Sequence, residues 1–182
     1  MAKSYEMDMC NGPILGKVLT YSIPLMLSGV LQLLFNAADV IVVGRFAGSQ
    51  SLAAVGSTSS LINLLINVFI GLSIGANVLV ARYYGAKNDR DMSETIHTAI
   101  TVSLMSGLFL VFLGFFTSRF WLELMGTPDD VIDKSTIYMR IYFAGMPATM
   151  VYNFGSAILR AIGDTKRPLY FLTVAGVINA AL

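Results

Sequence analysis

Four polar side chains share one face of an otherwise apolar stretch near the start of the chain: Ser28, Gln32, Asn36 and Asp39. At about 100° per residue in an α-helix, these positions fall within an arc of about 80°. An acidic residue inside a bilayer costs at least about 2.5 kcal/mol on insertion scales and is typical of an ion or substrate path. Burial disfavours the charged form of a carboxyl group, so such a residue can exchange a proton or bind a cation. The alternative for Asp39 is a local ion pair with Arg45 near the membrane surface.

The elements that carry these residues are long runs without Asp, Glu, Lys or Arg. The chain has 182 residues, of which 55% are apolar and 13% are charged, whereas soluble domains have about 25% charged residues. A helix of about 20 apolar residues crosses the hydrocarbon core. We therefore predict an all-α integral membrane fold with four complete spans and part of a fifth. The predicted spans are about 18–43, 56–81, 96–120 and 137–160, with the fifth running from 168 to 182.

Charge and composition exclude several classes of function. The net charge of +1 provides no basic surface for nucleic acid. One cysteine, Cys10, and one histidine, His97, cannot form a disulfide framework or a Cys/His zinc cluster. A membrane-embedded enzyme would need a nucleophile, paired acids or a metal set, so we predict no enzyme, no catalytic residue and no cofactor. The basic residues favour a cytoplasmic N-terminus, with eight of the twelve on that side.

Other residues in the predicted spans suggest packing and bending. Gly71 and Gly75 form a small-xxx-small pattern, which predicts close helix contact. Pro147 predicts a kink because it removes one backbone hydrogen bond. The sequence Thr127-Pro128-Asp129 predicts the start of a helix. For Asn179 in the fifth span, an interhelical hydrogen bond and a role in binding remain equally open.

Six strings, taken in their order and spacing, resemble the amino-terminal half of multidrug and toxic compound extrusion (MATE) transporters. The strings are Gly12-Pro13-Ile14, Pro24, LFNAADVIVVGRFAG (34–48), SLAAVG (51–56), IGANVLVARYYGAK (74–87) and NFGSAILRAIGDTKRPL (153–169). The resemblance covers residues 12–182, and its most specific part is the RAIGDTKRP string. It implies that this chain, residues 1–182, is an incomplete amino-terminal lobe of a twelve-helix transporter with two six-helix bundles.

The resemblance also implies roles for single residues. Asp39 matches the first-helix acid that is tied to cation coupling, with Gln32 and Asn36 beside it. Asn179 matches a fifth-helix amide of the same polar site, and Pro24 matches a first-helix proline near which bending has been proposed. Phe35 departs from the pattern, because many relatives have tyrosine there, so any role of that hydroxyl group is lost.

The implied function is export of cationic or amphipathic drugs across the plasma membrane in antiport with H⁺ or Na⁺. No resident metal is expected, although Na⁺ as the coupling ion would bind at Asp39. The expected partners are small-molecule cations, the lipid bilayer and the remainder of the same transporter chain. The first alternative is a lipid-linked oligosaccharide flippase of related fold, which tends to have a more basic cavity. The second is a membrane scaffold without transport activity, for which the polar stripe would be an unexplained cost.

Overall fold

The computed structural model describes Met7 and residues 13–181, and this part of the chain is helical without β-strands. Six α-helices follow one another, and we number them α1 to α6. Their bounds are α1 Ile14–Val42, α2 Gly48–Gly85, α3 Asp89–Leu124, α4 Asp129–Ala144, α5 Met146–Ala161 and α6 Lys166–Ala181. A π-helical turn, Val43–Ala47, joins α1 to α2.

Three helical segments are long and apolar enough to cross a membrane: Ile14–Phe46, Gly48–Gly85 and Asp89–Leu124. These are the first three predicted spans, and each is longer than the run without charged residues that predicted it. The extra turns carry the polar residues of the helix ends. One such end is the start of α3, where the Asn88 side chain accepts a hydrogen bond from the Asp91 backbone amide. This contact caps a helix that the sequence analysis placed only from residue 96.

The fourth predicted span is occupied by two helices of 16 residues each, α4 and α5, which meet at Gly145. Pro147 lies in the first turn of α5, where its missing amide hydrogen costs no hydrogen bond. The prediction of a kink here is therefore confirmed, although the interruption falls two residues before the proline. Helix α4 begins at Asp129 directly after Pro128, as the local sequence predicted.

Helices α2, α3, α4 and α5 pack against one another and contain the buried apolar side chains. One cluster joins these four helices and consists of Ile62, Leu110, Leu122, Ile132, Met139, Phe143, Met146 and Met150. A second cluster joins α2, α3 and α5 and consists of Val80, Ala99, Phe154 and Ile158. The Asn77 side chain also donates a hydrogen bond from α2 to the Ala157 carbonyl of α5.

The connections lie at two ends of the helices, which we call the basic end and the acidic end. The basic end holds the 86–88 and 162–165 connections. The acidic end holds the π-helical turn and the 125–128 connection. At the acidic end, Lys134 donates to Gln50 at 2.9 Å and Arg119 pairs with Asp133 at 3.0 Å. These contacts bring the start of α2, the end of α3 and the start of α4 together.

Helix α1 is packed differently from the others. Its main helical neighbour is α6, at the other end of the sequence. Pro24 is the one buried residue that α1 contributes among the described residues. The described chain therefore has two packed groups, the α2–α5 core and the α1–α6 pair.

Glycines make the closest helix contacts, but not at the predicted positions. Gly71 and Gly75 have no neighbouring atom within 4 Å of the place where a Cβ would be. The prediction of close packing at these two residues is therefore wrong for the part of the chain that the structure describes. Close approach occurs instead on α3, where Gly107 lies against Pro147 and Gly114 lies against the Phe143 ring. Between helices in a bilayer, such contact is favoured because lipid supplies little hydrophobic driving force for helix association.

We expect Gly114→Ala to destabilise the full-length protein by about 1–3 kcal/mol, because the added methyl group would overlap the Phe143 ring in a closely packed interface. The matched control is Gly71→Ala, which adds the same group to open space on α2. The measurement is the apparent melting temperature of each purified protein in detergent. Gly114→Ala should melt several degrees below its parent and the control should not. Equal melting temperatures for all three proteins would contradict the assigned packing.

Candidate functional site

The first part of the site is the region of α1 around Pro24. The proline ring removes the amide hydrogen that would bond the carbonyl one turn earlier, at Thr20. Two side chains also bond to the backbone of this region: the Thr20 hydroxyl donates to the Gly16 carbonyl and the Ser28 hydroxyl to the Pro24 carbonyl, each at 2.8 Å. Helix α1 nevertheless continues without interruption from Ile14 to Val42. The backbone ladder of α1 is thus locally weakened near its buried proline.

The polar residues predicted for the site lie on open surface. Gln32, Asn36, Asp39 and Asn179 are all exposed, and within the described residues no hydrogen bond joins any two of them. The alternative for Asp39, an ion pair with Arg45, is not formed in the described structure. The α1 face that carries Asp39 is therefore available to solutes or to further helices.

Helices α1 and α6 make close contact where an aromatic ring packs on a glycine. The Phe35 ring lies on Gly176, so closely that a Cβ at Gly176 would overlap three ring atoms. Asn36 follows Phe35 in sequence, and Asn179 lies three residues after Gly176 on α6. The ring contact therefore sets the alignment of α1 and α6 along their axes, and with it the position of Asn36 relative to Asn179. The sequence analysis singled out Phe35 only for its missing hydroxyl group and did not foresee this packing role.

A cleft of about 330 Å³ lies between the π-helical turn, α2 and α4, and it begins at Val43, one turn after Asp39. Its lining is mainly apolar and comprises Val43, Ser51, Ala54, Val55, Lys134, Ile137, Tyr138 and Ile141. Tyr138 is close enough to Asp39 for the two side chains to interact electrostatically. The site thus combines an apolar cleft, a phenol group and a carboxylate, with the Lys134 ammonium group held at its margin by Gln50.

Tyr138 is the functional candidate that the sequence analysis missed. The positions of Tyr138 and Tyr142 near the start of the fourth predicted span are typical of an aromatic belt at the membrane surface. In the structure, however, Tyr138 is half-buried and packs against the main apolar cluster. The two tyrosine rings lie side by side with centroids 6.2 Å apart. In the sequence, their spacing of four residues predicts that the two tyrosines share one helix face. It does not predict that Tyr138 lies within electrostatic reach of Asp39.

The remaining candidates take no part in this site. His97 is exposed at the basic end, where its Nδ1 lies 2.8 Å from the Ser93 carbonyl. Cys10 lies outside the described residues. Among the described residues, no group of three or more His, Cys, Asp or Glu side chains is arranged to hold a metal ion. A larger groove of about 1040 Å³ runs between α2 and α3 toward the basic end, but it contains none of the predicted site residues.

Comparison with known proteins identifies relatives over most of the chain. The MatE family model matches residues 24–182. The probable multidrug resistance protein YoeA of Bacillus subtilis is 39% identical over 162 residues, which are 89% of this chain and 35% of that protein. The FAD transporter of Shewanella oneidensis is 25% identical over 174 residues, which are 96% of this chain and 38% of that protein.

A solved structure has the same arrangement of helices. The crystal structure of MATE in the bent conformation superimposes with a TM-score of 0.84 at 27% identity, covering 91% of this chain and 37% of that one. The chain thus spans between a third and two fifths of the length of the relatives it matches.

We expect Gly176→Ala to displace the Phe35 ring and to loosen the α1–α6 pair. Spin labels at Leu34 and Val177, both exposed, would report the separation of the two helices in a Cys10→Ser background. The distance distribution should shift or broaden in Gly176→Ala and return toward that of the parent when Phe35→Leu is added. Gly29→Ala, which adds a methyl group to α1 in open space, is the control. An unchanged distribution in Gly176→Ala would contradict the ring contact.

Proposed function

The chain belongs to the MatE family of membrane transporters, and from that premise we propose that the full-length protein exports cationic or amphipathic drugs by secondary active transport. Within that protein, residues 1–182 would form four spans and part of a fifth of the amino-terminal six-helix bundle. The α4–α5 pair would act as the fourth span, interrupted at Gly145. The second bundle of the twelve-helix arrangement would lie in the remaining length found in the relatives.

The observation that carries this proposal is the position of Asp39. Its carboxylate lies on an open face of α1 and interacts electrostatically with Tyr138, which lines a mainly apolar cleft together with Val43, one turn after Asp39. An amphipathic cation has an apolar body, which suits such a cleft, and a positive charge, which suits a nearby carboxylate. Tyr138 adds an aromatic face on which a cation can be attracted by the ring.

Coupling to an ion follows from the chemistry of a single carboxylate. With H⁺ or Na⁺ bound, Asp39 is neutral and favours one packing of α1. When empty, it is charged and favours another packing or holds the cationic drug. Coupling is the difference in free energy between these states. One H⁺ moving down about 100 mV and one pH unit releases roughly 2.3 plus 1.4 kcal/mol. Exchanged one for one, this supports a gradient of several hundred-fold for a neutral drug. It supports about tenfold for a monovalent cation, whose export works against the same 100 mV.

We place the basic end in the cytoplasm of a cell whose plasma membrane holds the protein. Lys87, Arg90, Lys166 and Arg167 lie near the two connections of that end, whereas Asp129, Asp130 and Asp133 lie at the acidic end. Short loops with excess Lys and Arg stay on the cytoplasmic side. In this orientation Asp39 lies toward the outer surface, on the side to which an exported drug must be released.

The alternatives are less well supported. An oligosaccharide flippase is not favoured, because the relatives found are named as multidrug resistance proteins and transporters. A scaffold would leave Asp39 unexplained. The relatives are transporters, and their names give no reason to expect an enzyme. The FAD transporter shows, however, that one relative carries an anion, so the charge of the cargo needs a direct test.

We expect Asp39→Asn to reduce efflux of a fluorescent cation such as ethidium to the level of cells lacking the protein. The asparagine side chain cannot change charge, so it cannot exchange a coupling ion for a drug. Efflux is measured from cells that produce the full-length protein, with its membrane level and detergent-solubilised elution profile checked alongside. The matched control is Asp130→Asn, which removes an exposed carboxylate from the start of α4 and should leave efflux at the parent level. Parent-level efflux by Asp39→Asn would disprove the role of Asp39.

We also expect efflux by the parent protein to collapse when its driving gradient is removed. A protonophore should abolish efflux if H⁺ is the coupling ion, and removal of external Na⁺ should do so if Na⁺ is. A parallel assay in vesicles with flavin adenine dinucleotide tests an anionic cargo. Transport of the flavin without transport of ethidium would overturn the proposed cargo class, and efflux that persists without either gradient would overturn antiport.

A further inference from the structure

The connection between α5 and α6 is more deeply buried than a loop between two helices normally is. Gly163, Asp164 and Thr165 are all buried, and Asp164 has no exposed surface. These residues belong to the RAIGDTKRP string, the most specific motif in the sequence. The proposed transport function assigns no task to this motif.

The loop holds its shape through its own polar contacts. The Asp164 carboxylate accepts hydrogen bonds from the backbone amides of Lys166 and Arg167, each at 3.1 Å, and thereby caps the start of α6. Its second oxygen lies 3.1 Å from the Arg167 guanidinium group. Gly163 has a φ of +85°, which is the left-handed region that favours glycine. A loop fixed in this way can serve as a rigid support for another element.

The element that it supports is the beginning of α1. The Tyr21 hydroxyl donates a hydrogen bond to the Arg160 carbonyl at 3.2 Å, across a separation of 139 residues in sequence. Met7, which precedes α1, lies directly on Gly163, where a Cβ would come within 2.8 Å of the Met7 carbonyl oxygen. Two independent contacts, one on each side of the start of α1, thus reach the same loop.

Within the described part of the chain, the half of α1 beyond Pro24 makes no side-chain hydrogen bond to another helix. Beyond Pro24, the Gln32, Asn36 and Asp39 side chains of α1 are exposed. The contact of this half with α6 is apolar and consists of the Phe35 ring packed on Gly176. Tyr21 lies three residues before Pro24, whose ring removes one backbone hydrogen bond from the otherwise continuous helix α1. The attachment therefore ends just where the helix becomes easier to bend.

We propose that residues 160–165 form a socket that holds the start of α1, with Tyr21 as the positioning residue that fixes this end of the helix. The proposal rests on the proposed export function, which it deepens by naming the part of the chain that stays still. Tyr21 does not line the cleft between the π-helical turn, α2 and α4. It acts on transport through the position of α1, without touching the cargo.

The test compares Tyr21→Phe with a matched control, Tyr170→Phe, in the full-length protein. Both changes remove one phenol oxygen, but Tyr170 is exposed on α6 and its hydroxyl makes no hydrogen bond within the described residues. Spin labels at Ile14 and Lys166, both exposed, report the distance between the start of α1 and the socket in a Cys10→Ser background. Gly163→Ala is a second variant that perturbs the socket without touching α1.

Two populations are compared: molecules in which the start of α1 is attached to the socket and molecules in which it is released. In Tyr21→Phe, we expect the ratio of attached to released molecules to fall about three- to tenfold, the range for loss of one neutral hydrogen bond. Gly163→Ala should broaden the same distribution, and Tyr170→Phe should keep the distribution of the parent. The maximal rate of ethidium efflux should fall in Tyr21→Phe while its KM stays within about twofold, because the cargo contacts are unchanged.

Two outcomes separate this proposal from the export function. If Tyr21→Phe keeps the parent distance distribution, the socket is wrong whether or not the protein exports ethidium. If the distribution broadens in Tyr21→Phe but the parent exports no ethidium, the socket is supported and the proposed function is overturned. A KM that rises as steeply as the maximal rate falls would overturn the role of Tyr21 as a positioning residue, because it would place Tyr21 in contact with the cargo.

Discussion

A hydrocarbon interior provides no hydrogen-bonding partners for the backbone, and this constraint governs the whole structure. Each span must satisfy its own amides and carbonyls, so the chain crosses in long helices and turns at their ends. An interruption inside a span is tolerated only where other protein atoms pack against it. The break between α4 and α5, in the proposed fourth span, is packed in this way, because Pro147 lies against Gly107 and Phe143 lies against Gly114.

The same constraint explains why the helices could be predicted and their contacts could not. Runs without charged residues identify the first three spans because charge is costly in hydrocarbon, and Pro147 identifies the break. The residue that packs against a given glycine could not be predicted in this way. Gly71 and Gly75 have the spacing of a packing motif, yet nothing in the described structure lies within 4 Å of a Cβ placed at either. Gly176 has the same spacing to Ala180, and it holds the Phe35 ring. Which helix approaches which depends on tertiary arrangement, and a single sequence does not encode it locally.

The candidate site was predictable in part for a similar reason. Asp39 is conspicuous because an acid is rare in an apolar stretch, and that rarity is visible in the sequence. Tyr138 is not conspicuous, since tyrosines are common at membrane surfaces and only the fold brings this one near Asp39. The helical period predicted that Gln32, Asn36 and Asp39 share a face. It did not predict that the face would be open, because exposure depends on which neighbours pack beside α1.

The division into an α2–α5 core and an α1–α6 pair has a consequence for the order in which the chain assembles. The core helices are consecutive, so they meet their partners as soon as they enter the bilayer. Helix α1 is made first, yet its main helical partner is α6, about 140 residues later. Contacts between distant parts of a chain form late. During synthesis the Phe35 side of α1 therefore lacks its helical partner until α6 has been made. The start of α1 acquires its Tyr21 hydrogen bond only after α5 has been completed.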